Sequence, residues 1–96
     1  MRVQFVQRES GPERLVCEAE LVFDEEGPLA GMKLVGFGLW RGADGEIHVT
    51  FPARAFGPGN ERKFYDYLRA VDGMLAESKR VKSWIIEEYR ASSRAA

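Results

Sequence analysis

Intramolecular disulfides and multi-cysteine zinc sites are excluded at once, because Cys17 is the sole cysteine among 96 residues. Histidine is equally scarce. His48 stands alone, which rules out a two-histidine metal site and leaves a Ser-His or Cys-His nucleophile pair without support. No apolar run approaches the roughly 20 residues of a membrane-spanning helix; the longest, Leu34 to Trp40, carries two glycines. The start, Met1-Arg2-Val3-Gln4, lacks the apolar stretch of a signal peptide, so the cytoplasm is the expected compartment. A net charge of −1 announces no global basic field.

What is present describes an ordinary folded domain. Hydrophobic residues make up 45% and charged residues 30%, too apolar for a disordered tail. The length predicts one domain over residues 1–91, with 92–96 as a flexible C-terminal tail. A core this small makes dimerisation a natural way to hide further apolar area. Charge is unevenly spread. Residues 1–53 carry five basic groups against nine acids, net −4, whereas residues 54–96 carry nine against six, net +3. Such polarity allows a basic face in the second half that attracts phosphates.

The segment from Met32 to Ala55 organises the chain. Two apolar arms flank Gly42-Ala43-Asp44-Gly45, a strong hairpin signal. Strict alternation puts Val35, Phe37 and Leu39 on one face of the first arm, with Met32, Leu34 and Trp40 on the other. On the second arm Ile47, Val49, Phe51, Ala53 and Ala55 align, and Pro52 implies a bulge, an edge or a strand end. Upstream, a strand is predicted from about Arg2 to Arg8 and another from Arg14 to Phe23. In the second, Leu15, Cys17, Ala19, Leu21 and Phe23 share the buried face, with Cys17 as a small hydrophobe.

Downstream, Ala55 to Asn60 reads as an exposed glycine-rich loop. Residues 62–70, with Phe64, Tyr65 and Tyr67, fit either a fifth strand or an early helix start. Asp72 then serves as N-cap of a helix reaching Tyr89 or Ala91. Its stripe of Met74, Ser78, Val81, Ile85 and Tyr89 is broadened by Trp84 and Ile86; a stripe that wide either packs on the core, the favoured reading, or meets a second subunit. The fold class is therefore α+β: an antiparallel sheet of four to five strands with a C-terminal helix packed on it.

No catalytic constellation emerges. Gly36, Gly38 and Gly42 are spaced one residue too far for a dinucleotide fingerprint and precede a hairpin, so close backbone approach explains them better. Asp24, Glu25 and Glu26 crowd a turn and keep it solvated. No metal site, cofactor or small-molecule substrate is expected.

Four strings in order, beginning Gly45-Glu46-Ile47, Gly57-Pro58-Gly59, Arg62-Lys63-Phe64 and Ile86-Glu87-Glu88, resemble the SpoVG family (stage V sporulation protein G, or septation protein). Gly45-Glu46-Ile47-His48-Val49-Thr50-Phe51-Pro52-Ala53-Arg54 is similar to that family's glycine turn, apolar strand and Met/Phe-Pro-Ser-Lys step. Gly57-Pro58-Gly59-Asn60 stands in place of its Pro-Asp-Gly-type loop. Arg62-Lys63-Phe64-Tyr65-Asp66 matches the following basic strand, and Ile86-Glu87-Glu88-Tyr89 its helix ending. The likeness runs from about Val3 to Tyr89.

The resemblance implies a cytoplasmic, dimeric bacterial regulator that binds DNA, and in some members RNA, without catalysis. Carried over by position, Arg54 matches the first basic residue of the proline step, while Ala55 stands where a second is common. Arg62 and Lys63 fall near the next strand; Lys79, Arg80 and Lys82 lie on the helix without a motif match. Each phosphate neutralised by such a residue releases condensed cations, so affinity should fall steeply with salt. Tyr65 and Tyr67 are candidates to stack on unpaired bases, or else pack on the sheet. The alternative is a protein-interaction module docking a partner through its helix and hairpin faces.

Overall fold

The computed structural model describes residues 1–95. Strands β1 (Arg2–Val6), β2 (Leu15–Val22), β3 (Lys33–Arg41) and β4 (Ile47–Thr50) form an antiparallel meander in that spatial order. Strands β5 (Ala53–Phe56) and β6 (Lys63–Asp66) form a separate two-stranded ribbon, joined through a 3-10 turn at Gly59–Glu61. The helix α1 (Leu75–Ala95) follows and packs on the four-stranded sheet. The architecture is the expected α+β one, an antiparallel sheet of four strands with the C-terminal helix packed on it, and β5 and β6 add a second, smaller sheet.

Period-two alternation delivers the core. Cys17, Ala19 and Leu21 of β2, Phe37 and Leu39 of β3, and Val49 of β4 are buried together with Phe51 and Ile85. Val3 and Phe5 of β1 flank them from one edge. From α1, Ile85 enters fully, and Val81, Trp84, Ile86 and Tyr89 pack around it. Edge-to-face ring pairs reinforce the core: Phe37 against Phe51 at 5.5 Å beside the sheet, and Phe5 of β1 against Tyr89 of α1 at 5.4 Å between sheet and helix. Such pairs add about 1 kcal/mol each beyond area burial.

Two bulges overturn the predicted faces locally. Between the Ala19–Phe37 and Leu21–Leu34 pairs, Glu20 alone faces Val35 and Gly36. The extra residue flips the strand, so Leu34 packs on the core and Val35 is 48% exposed. Between the Leu15–Trp40 and Cys17–Leu39 pairs, Val16 is the extra residue. Val16 consequently packs against the core, and Leu15 pairs with Trp40 on the outer face. That face is polar: Arg8 reaches Glu18 at 2.8 Å and Lys33 reaches Glu20 at 3.0 Å. Trp40 Nε1–H donates to Thr50 Oγ1 at 2.9 Å across Gly38, where a Cβ would lie 2.5 Å from that indole nitrogen.

The second hairpin arm does not run on to Ala55. Pro52 supplies no N–H, so the ladder stops after Thr50 and the chain leaves the meander. Ala53 and Ala55 are exposed in the ribbon instead of aligned with Val49. Residues 63–66 resolve the strand-or-helix alternative as strand. The Tyr67 N–H donates to the Pro52 carbonyl at 2.8 Å and closes the ribbon at its base.

The helix starts later and ends later than its pattern predicted. Asp72 Oδ1 accepts the Met74 N–H at 2.9 Å, an Asx turn that precedes the first helical turn at Leu75. At the other end no Gly or Pro halts the backbone after Ala91, and alanine favours continuation. Helix therefore runs through Ala95 across most of the predicted tail; residue 96 lies outside the described residues.

Candidate nucleic-acid interface

The ribbon is exposed at all eight strand positions. Its register sets Arg54 opposite Tyr65 and Phe56 opposite Lys63. Residues two apart on a strand share a face, so Arg54, Phe56, Lys63 and Tyr65 form one surface. Ala53, Ala55, Phe64 and Asp66 form the other. On the first surface the Phe56 and Tyr65 rings meet edge to face at 5.2 Å and 74°. The Arg54 guanidinium lies 4.6 Å from the Phe56 ring centre, a cation–π contact. Arg69 joins them. Its Nε–H donates to the Asp66 carbonyl at 2.6 Å, and it lines an open cleft with Phe56 and Tyr65.

The other predicted basic residues sit elsewhere. Arg62 ends the 3-10 turn at the ribbon tip and is exposed. Lys82 is half-buried behind the ribbon, with Nζ 5.2 Å from the Phe51 ring centre. There it lines a groove with Val49, Thr50, Ala53, Phe64 and Asp66. Lys79 and Arg80 stand exposed on α1, and Arg80 approaches Glu77 at 3.9 Å. Arg54 and Lys63 are thus brought together, while Lys82 faces the opposite side of the ribbon.

Among the described residues, Arg54, Arg62, Lys63, Lys79 and Lys82 take part in no ion pair. Elsewhere Arg2, Arg8 and Lys33 meet carboxylates in the first half, as Arg80 and Arg90 do in the second, with Glu77 and Glu46. Arg54, Arg62 and Lys63, on or beside the ribbon, accordingly keep their charge unpaired.

The remaining chemistry is quiet. Burial pushes the Cys17 thiol up from its ordinary value, away from the reactive thiolate. Asp44 Oδ1 accepts the Glu46 N–H at 2.9 Å and lies 3.3 Å from His48 Nε2. The backbone bond, then the imidazole, hold the Asp44 carboxyl below its usual range. Among the described residues no cluster of three or more His, Cys, Asp or Glu is placed to hold a metal ion, and no helix is long and apolar enough to cross a membrane.

Phe56 and Arg69 escaped the sequence reading. Composition places Phe56 in the glycine-rich loop, yet it stands two residues after Arg54, the spacing that joins them on one strand face. Tyr67, the second stacking candidate, lies just past β6 and is exposed. No protein-family model, curated protein or solved structure matches this chain.

Proposed function

We propose that this chain is a non-enzymatic nucleic-acid-binding regulator of the SpoVG type, acting as a cytoplasmic homodimer on DNA or RNA. The observation that carries the reading is that Arg54 and Lys63, neither in an ion pair, share one ribbon face with exposed aromatic rings. Phosphate binding by Lys and Arg supplies sequence-independent affinity through counterion release. Arg62 extends the patch at the tip, and Lys79, Arg80 and Lys82 add positive field from α1 at longer range. A two-fold dimer doubles the patch and makes the second contact intramolecular.

The test is a mobility-shift titration across ionic strength. Binding should weaken steeply as salt rises and be lost when Arg54, Arg62 and Lys63 are together replaced by Ala. Absence of binding at low ionic strength overturns the reading. One observation favours a second reading, a protein-docking module: Val71, Met74 and Leu75 form an exposed apolar run. We assign that run to a second copy of the chain, and light scattering after size exclusion separates the two readings. A monomer that binds no nucleic acid supports the docking module.

A further inference from the structure

We propose that the cleft between Phe56, Tyr65 and Arg69 takes an unpaired nucleobase, with Arg54 and Lys63 on its flanking phosphates. This rests on the nucleic-acid reading and adds the form of the ligand: a single strand of DNA or RNA rather than a duplex. The two rings make a corner, one turning its edge to the other at 74°, and each is close to half exposed. An outward ring face in water has a ready partner in the flat face of a base. In a duplex that face is hidden by its stacked neighbours; in a single strand it is open.

The charges around the corner point the same way. Asp66, the only acid on the two strands, falls on the opposite surface beside Ala53. The ring surface therefore carries Arg54 and Lys63 with no carboxylate between them. Arg69 is anchored through Nε to the Asp66 carbonyl and lines the same cleft, adding a third cation beside the rings. Cations interleaved with exposed aromatics are the arrangement that binds single strands with little dependence on sequence.

The test uses the full chain and anisotropy of labelled dT and U strands of about a dozen nucleotides, beside a duplex of equal length, at low salt. Single strands should bind more tightly than the duplex. Phe56→Leu and Tyr65→Leu should each weaken single-strand binding about tenfold, with Tyr65→Phe close to wild type. Strands carrying 5-bromouracil should photo-cross-link at Phe56 or Tyr65, a readout on the native chain independent of any folding defect in the leucine variants. Equal or tighter duplex binding, or cross-links only elsewhere, overturns the base slot while salt-dependent binding keeps the regulator reading alive. No binding by any probe removes both.

Discussion

Gly36 and Pro52 touch: a Cβ built on the glycine would stand 3.0 Å from the proline Cβ. The contact joins the β3 bulge to the point where the chain leaves the meander for the ribbon. Gly36 also has φ of +102°, a conformation that side-chain-bearing residues rarely adopt. Gly36→Ala should therefore destabilise the fold by about 1–3 kcal/mol, read as a lower urea midpoint. An unchanged midpoint would mean that the bulge relaxes at no cost.

Ile85 is the helix's fully buried anchor, at 0% exposure among Phe37, Leu39 and Val49. Ile85→Ala should cost about 2–5 kcal/mol through lost transfer energy and a residual cavity. The neighbouring Glu87→Ala, on the solvent side, should stay within about 0.5 kcal/mol. Chemical denaturation of both variants checks the contrast.

The parts of this fold legible in advance are those set by local chemistry. Asp44-Gly45 marked the central turn, the alternation of β2 marked its buried face, and Pro52 marked a break. The bulges at Val16 and Gly36 were hidden because they belong to the pairing of β2 with β3, which strict alternation along one strand does not encode. The site was half visible for a related reason. Arg54 and Lys63 stood out as basic residues near a loop, but their shared face depends on the β5–β6 register. That register follows from how the 3-10 turn at Gly59–Glu61 closes the ribbon. Phe56 joins the candidate site because β5 extends through it, a strand end that the neighbouring Gly57-Pro58-Gly59 does not signal.

Asp44 gives the turn a sensitivity to acid. Its carboxyl is held below the ordinary value chiefly by the Glu46 N–H and next by His48. A depressed folded-state value means that its stabilisation is present above the unfolded carboxylate pKa and is lost as pH falls through the folded one. Urea midpoints of wild type and Asp44→Asn should converge toward pH 2 and separate, wild type higher, as pH rises through the carboxylate range. Curves that stay parallel between pH 2 and 6 would remove the carboxylate from the turn's stability.

Lys63 and Lys82 should separate binding from packing. Lys63 lies on the ring surface, so Lys63→Ala should weaken nucleic-acid binding uniformly across sequences and lower the salt slope by about 1. Lys82 sits behind the ribbon over Phe51. Lys82→Ala should change the slope less and instead cost about 0.5–1 kcal/mol of stability from the lost cation–π contact. A larger slope change for Lys82 than for Lys63 would place the phosphate path on the groove side of the ribbon.

Val71 and Leu75 test the assembly. Val71 is fully exposed and Leu75 is 70% exposed, next to a ribbon whose eight strand residues all face solvent. An isolated two-stranded ribbon is marginal in water, and an apolar run beside it favours a covering partner. With a second copy as that partner, wild type should scatter light as a dimer, and Val71→Glu with Leu75→Glu should scatter as a monomer. The far-ultraviolet circular dichroism of the monomer should stay near wild type, because the meander and Ile85 form the core without these residues. Halving the number of basic patches in each complex should also roughly halve the salt slope of binding. A wild-type monomer would remove the dimer from the proposed function, and a dimeric double variant would move its interface away from the start of α1.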